Sequence, residues 1–376
     1  MFYSDWCFAC MRAAGAFKKM IDSLESLGVV FASINAGHEN QLVRKAGVHS
    51  LPCIVLVLDE HNYVFKDNVF SVQKVVEFVR QKLPYKLIQT INDDRIDSFL
   101  SGWSDNRVRA LIFEPRQQTR LRYLLTAFHF KSRVSFGYVV VLVVVIYKYL
   151  IGSIVIFRFV QINSESKDTK VIVERYKVHP NMDTLLLFNE DSMRPVASVS
   201  MSDIPSQTLS NIISANQYLA LPRLSSQGML EGVCPAEWSR PKKKLCVILI
   251  TENSGHHDYA RQVLRRIAIE SNYRDERVKF AYMFKEKQSA FINSLSINSG
   301  NNDTLLKLVI IWRRDTTHIK YEWITEANLH ESLNENIGED EENYNKTKMK
   351  IDETIQKLLR STEAMSFEAE VKVSII

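Results

Sequence analysis

Cysteine is scarce in this sequence, with Cys7, Cys10, Cys53, Cys234 and Cys246 the only five among 376 residues. So sparse and odd a set excludes a disulfide-stapled secreted scaffold. Cys7 and Cys10 make one C-x-x-C, a spacing that serves redox or metal chemistry. Zinc would need a second ligand pair at suitable spacing. Cys234 and Cys246 have 11 residues between them and belong to no C-x-x-C, so no metal and no cofactor is expected. All three lone cysteines read as small buried apolar residues. A strong excess of one charge is missing too. The net charge is +5, and the densest basic run, Arg240-Pro241-Lys242-Lys243-Lys244, is too short for a nucleic-acid surface and reads as a solvated linker. Kinase, Walker, Rossmann and hydrolase motifs are absent, as is any His-Pro-Asp triplet; His179-Pro180-Asn181 does not qualify. Residues 1–5 show neither the basic stretch nor the apolar core of a signal peptide.

What remains is an ordinary globular composition, 46% apolar and 24% charged, over a length that predicts two or three domains. Phe2-Tyr3-Ser4-Asp5 reads as the tail of a buried strand. Met11, Ala14, Phe17, Met20, Ile21 and Leu24 follow helical spacing over residues 10–26, and Gly28 ends that helix. Residues 29–34 and 53–58 are short apolar runs that predict buried strands. A polar helix falls near 39–46, residues 64–66 suit a hairpin partner, and Val72, Val75, Val76 and Val79 line one face of a helix over 71–83, which Pro84 ends.

Strand, dithiol, helix, strand, helix, proline, strand, strand, helix is an order that resembles the thioredoxin family. Tyr3-Ser4-Asp5-Trp6-Cys7-Phe8-Ala9-Cys10 stands where that family has its aromatic-acid-Trp-Cys-x-x-Cys turn, and Leu51-Pro52 where it has a cis-proline facing the dithiol. Cys7, at a helix N-terminus, is then the attacking thiol, because the helix end stabilises a thiolate. Cys10 is the resolving thiol. The resemblance makes Trp6, Leu51 and Pro52 the surface that a bound polypeptide touches, with Trp6 also covering the motif. Phe8-Ala9 departs from the family's Gly-Pro spacer. The strand that carries a buried acid upstream of the motif is missing, so the first domain is expected to be truncated at its N-terminus.

A second unit repeats the pattern. Residues 108–113 predict a strand, 121–130 an amphipathic helix and 134–139 another strand. Val178-His179 precedes the apolar run 184–188 as Val48-His49 precedes 54–58, and an acidic residue follows each run. Met182 stands in the place of Pro52 and no cysteine matches the dithiol, so this unit reads as redox-inert. Strands over 245–250, 278–283 and 308–312 with a helix over 257–270 suggest a third unit. The domains are therefore set at 1–84, 85–220 and 221–330, followed by a polar and acidic tail over 331–376 with one helix near 351–359. The acidic run 339–342 reads as a solvated loop. The fold class is α/β, as tandem thioredoxin-like domains.

Residues 136–160 hold only two charges, Lys148 and Arg158. They are long enough for one membrane-spanning helix. They also suit two buried strands broken at Lys148. The favoured reading makes roughly 140–159 an apolar insert foreign to the second unit, such as a translated intron. Its removal would join Phe136-Gly137-Tyr138-Val139 to Val160-Gln161-Ile162 and restore the length of that unit, whereas a span inside a sheet would leave open edges in lipid.

Phe2-Tyr3-Ser4-Asp5-Trp6-Cys7-Phe8, Ser101-Gly102-Trp103, Leu124-Leu125-Thr126-Ala127-Phe128 and Ser135-Phe136-Gly137-Tyr138-Val139 together resemble a family of large membrane J-proteins. That resemblance covers most of residues 2–325 outside the insert. It implies thioredoxin-like units between an N-terminal J domain and a membrane anchor, association with the endoplasmic reticulum membrane, and a part in controlling autophagosome size. Because the triplet of a J domain is absent, Hsp70 would be engaged only through a domain this chain lacks, and the chain is expected to be partial at both ends. Two functions follow as expectations. One is a binding or scaffold module for protein partners. The other is a thiol-disulfide oxidoreductase, acting on client thiols through Cys7 and Cys10. Asn302-Asp303-Thr304 and Asn345-Lys346-Thr347 are glycosylation sequons.

Overall fold

A computed structural model describes residues 1–67, 70–115, 118–141, 144–151, 154–161, 169–236, 243–271, 277–295, 307–324, 337–360 and 365–371; side chains within 142–168 and 331–340 lie outside that description. The chain divides into two compact units, Met1–Gln217 and Tyr218–Ile376.

The first unit opens with β1 (Phe2–Tyr3), α1 (Phe8–Leu24), β2 (Ile34–Asn35), α2 (Asn40–Lys45), the hairpin β3 (Val55–Leu58) and β4 (His61–Val64), and α3 (Val72–Lys82). Cys10, Ala13, Phe17, Met20 and Leu24 form the buried stripe of α1. Phe17, Met20 and Leu24 of that stripe meet Val75 and Val79 of α3 and Ile54. Full burial of each large apolar side chain stabilises by about 1.5–3 kcal/mol relative to exposure. Ser71 caps α3 through Lys74 N, and Gly28, at φ 89°, closes the short 3-10 turn after α1.

The strand expected over 29–34 is reduced to Ile34–Asn35, paired in parallel with Phe2–Tyr3. The ladder stops where β1 does: the Met1 ammonium donates to Ala32 O, and Val30 is 93% exposed. An apolar, β-branched run becomes a strand only where a neighbouring backbone meets it. On its other side Phe2 exchanges two backbone hydrogen bonds with Cys53, N to O at 2.8 Å and 3.1 Å. β1 is thus the link between β2 and the loop that carries Pro52. The hairpin partner of β3 is His61–Val64, earlier in the chain than the expected 64–66.

The same unit continues with β5 (Ile88–Thr90), α4 (Ile96–Leu100), β6 (Val108–Glu114), α5 (Leu121–Phe130), β7 (Val134–Val140), β8 (Val144–Ile151), β9 (Ile154–Gln161), α6 (Lys170–Arg175), β10 (Asp183–Phe188), β11 (Ala197–Met201) and α7 (Ser206–Ala215). The sheet order is β11-β10-β6-β7-β5. β6 runs parallel to β7 and antiparallel to β10. Every residue of β6 is buried, as expected of a central strand covered on both faces. The repeat is visible in the backbone: α2 is followed by Gly47 at φ 69° and α6 by Lys177 at φ 51°. Val48 and Val178, next in each copy, are both buried.

Within the apolar insert, β8 and β9 form an antiparallel hairpin from Val144↔Gln161 to Ile151↔Ile154. Two corrections follow. The run is strand and not helix, and no helix among the described residues is long and apolar enough to cross a membrane. Lys148 pairs with Phe157 in mid-strand, so the break falls between Ile151 and Ile154 and not at Lys148. Runs rich in valine, isoleucine and tyrosine favour this outcome. Among the described residues the two strands ladder only with each other.

The second unit contains α8 (Gln227–Val233), β12 (Leu245–Thr251), α9 (Asp258–Glu270), β13 (Val278–Phe284), α10 (Ser289–Ser294), β14 (Lys307–Arg313), β15 (His318–Ile324), α11 (Ile337–Arg360) and β16 (Phe367–Glu370). Its sheet order is β13-β12-β14-β15-β16. Side chains alternate along β12. Leu245, Val247 and Leu249 face α9 and α11, while Cys246, Ile248 and Ile250 face α8 and α10. Residues 331–376, expected as a tail, give this unit a 24-residue helix and an edge strand. Glu341 and Glu342, expected in a solvated loop, sit in α11 and pair with Arg266 and Lys346. Lys243 donates to Leu358 O and lies over the Trp312 ring, so the end of the basic run is bound rather than free. The sequon at Asn302 lies outside the described residues; Asn345 is exposed on α11 and Thr347 is buried.

Candidate functional site

The dithiol sits at the start of α1, and the local sequence dictates why. Cys7 is the N-cap, in extended conformation, and its Sγ accepts from Cys10 N at 3.0 Å. A helix N-terminus offers unpaired N–H groups and the positive end of the helix dipole, and both favour a thiolate. Cys7 N donates to Ser4 O at 3.1 Å, closing the turn before the helix. Asn35 Nδ2 donates to Asp5 Oδ2 at 2.8 Å, which holds that turn onto β2. Cys7 and Cys10 are joined as a disulfide with Cα atoms 5.2 Å apart. Cys10 is buried and Cys7 half-buried, so an incoming thiol meets Cys7 first.

Pro52 enters through a cis peptide bond. The Phe2–Cys53 pairing fixes the Pro52 loop to the strand that leads into the dithiol turn. Arg12, Ala13, His49, Leu51 and Pro52 line one groove beside α1. Trp6, expected from sequence to cover the motif, is 96% exposed instead; Phe8 and Met11 are exposed as well. The Arg12 guanidinium lies 5.0 Å from the centre of the Phe8 ring. An aromatic and thioether surface of this kind contacts apolar side chains. Cys53 is a free, buried thiol, pushed above its ordinary pKa by desolvation. Burial favours the neutral thiol, so Cys53 acts as a core residue and not as a third nucleophile. No aspartate or glutamate of residues 1–84 is buried among the described residues. His49 is exposed on the groove, and His179 Nδ1 accepts from Asn181 N as a turn cap.

The second copy of the site is built differently, in a way sequence reasoning missed. Arg120 holds the N-cap position of α5 as Cys7 holds that of α1, though without a side-chain capping bond, and Tyr123 follows three residues on, where Cys10 follows Cys7. Asp183 occupies the position after Met182 as Cys53 does after Pro52. Arg120 pairs with Glu114, Asp183 and Asp203. Tyr123 Oη donates to Asp183 at 3.0 Å and Tyr138 Oη donates to Glu114 at 3.1 Å. Desolvation pushes the Glu114 carboxyl up, with Arg120 and Tyr138 opposing that rise. Burial raises both tyrosines as well. The place of the dithiol is thus a saturated ionic cluster. Arg80 of α3 donates to Thr119 O at 2.6 Å, and Leu121 packs into the core around α1 and α3. The charged side chains lie at 114, 120, 183 and 203, and no local spacing announces them. Among the described residues no group of three or more metal-ligating side chains converges.

Cys234 and Cys246, expected as separate core cysteines, are joined as a second disulfide.

A thioredoxin family model matches residues 1–81. The model described as DJC16, thioredoxin-like domain 2, matches residues 90–150 and 142–216, two segments that overlap inside the insert. DJC16, thioredoxin-like domain 3, matches residues 223–366. The chain is 29% identical to human DnaJ homolog subfamily C member 16 over 319 residues, 83% of this chain and 37% of that protein. It is 27% identical to the Gallus gallus counterpart, over 86% of this chain and 39% of that protein. The chain therefore spans less than half the length of these relatives. Among solved structures, human ERp44 form II aligns over 99% of this chain and 87% of its own, at 12% identity and a TM-score of 0.39.

Proposed function

We propose that this chain, a relative of DnaJ homolog subfamily C member 16 built from thioredoxin-like domains, is a polypeptide-binding module of an endoplasmic-reticulum J-protein. It holds partner or client segments in the groove beside Cys7–Cys10. The observation that carries this reading is the pairing of an exposed apolar rim, Trp6, Phe8 and Met11, with the groove lined by Arg12, His49, Leu51 and Pro52. Trp6 and Leu51 make the apolar contact and the loop around Pro52 offers backbone to an extended peptide. The cluster around Arg120 gives its own domain no comparable groove chemistry. Attachment to the endoplasmic reticulum membrane and a role in autophagosome size belong to the same proposal and rest on the family relation. Fluorescence anisotropy of a cysteine-free apolar peptide tests the groove: binding weakens in Trp6→Ala and Leu51→Ala, and equal binding by all three proteins refutes it.

A second reading has its own observation, the Cys10 N–H donated to Cys7 Sγ at a helix N-terminus. A client thiolate attacks Cys7 Sγ, the Cys7–Cys10 bond breaks, and Cys10 leaves as a thiolate that takes up a proton. The second client thiol then displaces Cys7, so that the client is oxidised and the pair reduced by two electrons. Run in reverse, the same steps let the reduced pair attack a client disulfide through Cys7, so insulin-reduction turnover lost in Cys7→Ser supports this reading and turnover retained by that variant excludes it.

A further inference from the structure

We propose that Cys234–Cys246 is a permanent structural disulfide of the second unit, distinct in chemistry and role from the exchange pair Cys7–Cys10. Cys234 is the C-cap of α8 and Cys246 is the second residue of β12. Their Cα atoms are 5.7 Å apart, inside the range of roughly 4.4–6.8 Å that a disulfide spans without backbone movement. The two residues are 5% and 2% exposed. They are sealed by Met229, Leu230 and Val233 of α8, Ile248 of β12 and Phe291 of α10.

That burial separates the two pairs. Exchange needs an attacking thiolate to reach a sulfur atom. Cys7 is half-buried at a helix N-terminus beside an exposed tryptophan; Cys234 and Cys246 lie within an apolar core. A second tie acts at the same point: the buried Arg313 of β14 donates from Nη1 to Cys234 O at 2.9 Å. The end of α8 is therefore anchored both to β12 and to its neighbour β14, the middle strand of the sheet. The disulfide closes a loop of sequence separation 12 that contains the basic run, and closing a loop restricts the unfolded chain. Its formation releases two electrons and two protons as one S–S bond forms, and an acceptor disulfide, small-molecule or protein, takes them up and is cleaved to two thiols. Such a bond is kept where the compartment is oxidising. The five cysteines then fall into an exchange pair, a staple and one buried thiol, Cys53.

The test uses the full chain produced in an oxidising secretory compartment, denatured without reductant, alkylated and digested with trypsin. Cleavage after Lys244 separates the Cys234 and Cys246 peptides, so the staple appears as one joined species that splits on reduction, with Cys53 alkylated. Alkylation of both Cys234 and Cys246 in the unreduced sample overturns the proposal. In native protein under dithiothreitol, Cys7 and Cys10 become alkylated at least about tenfold faster than Cys234 and Cys246; equal rates overturn the division into exchange pair and staple. The double variant Cys234→Ser/Cys246→Ser keeps a reversible Cys7–Cys10 couple and unfolds at lower denaturant, whereas an unchanged midpoint refutes the structural role. If that variant does not fold, the two wild-type measurements still decide.

Discussion

Arg120→Met removes the guanidinium that three carboxylates share while keeping the length of the side chain. Glu114 is fully buried and Asp183 nearly so. Both lose their charged partner, and each keeps one tyrosine hydroxyl. Breaking a buried pair by removing one partner costs about 3–5 kcal/mol, because the other charge stays buried and unpaired. Asp203 is exposed and keeps Arg122, so it adds little. The expected loss is therefore about 3–5 kcal/mol, read as a lowered denaturation midpoint. Glu114 supplies a pH signature. Its folded pKa is raised by desolvation, so the folded state holds a proton more tightly than the unfolded state does. Stability then falls as pH rises from the unfolded carboxylate range through the folded pKa. Without Arg120 the folded pKa rises further, so the defect of Arg120→Met grows from acid toward neutral pH. Glu114→Gln in the same background recovers part of the loss. Urea titrations of full-length variants at acid and neutral pH measure both effects. A loss under about 1 kcal/mol, or a defect independent of pH, refutes the reasoning.

Gly137→Ala in β7 should destabilise by about 1–3 kcal/mol, because a Cβ would lie 2.7 Å from Ile91 and 2.8 Å from Leu111; thermal unfolding checks it. Trp6→Ala should leave stability within about 0.5 kcal/mol while weakening peptide binding, since the ring packs on nothing that folding needs. Deleting residues 142–161 removes a hairpin that ladders only with itself among the described residues. The shortened connection between β7 and α6 should change stability by about 1 kcal/mol or less; loss of the folded transition would show that the hairpin belongs to the unit.

The dithiol and Pro52 were readable because chemistry and spacing coincide: a tryptophan before the pair, a proline 45 residues after Cys7. The helix Leu121–Phe130 was readable to the residue, since its apolar stripe is continuous and its neighbours are polar. The edge strand β11 was not, because Ala197–Met201 alternates weakly with serines and takes its shape from β10. The run at 29–34 carried strand propensity but joins the ladder only at its last residue, Ile34, with Asn35 beyond it. In the insert, apolarity supported helix and strand alike, and only the ladder from Val144 to Gln161 decides between them. Cys234 with Cys246, and Arg120 with its carboxylates, are products of tertiary packing. Their residues lie on different elements, and their spacing follows neither a helical nor a strand period.

The central claim, that Cys7 and Cys10 form the chemical site of a polypeptide-binding groove, is tested most directly by trapping. Cys10→Ser leaves Cys7 without its resolving thiol. Incubated with a peptide that carries an apolar segment and one activated cysteine, this variant should accumulate a mixed disulfide on Cys7, identified by mass spectrometry. Adding Trp6→Ala should slow its formation, and Cys7→Ser should form none. No adduct on Cys7, or adducts formed as fast on Cys10 in Cys7→Ser as on Cys7 in Cys10→Ser, would contradict the account.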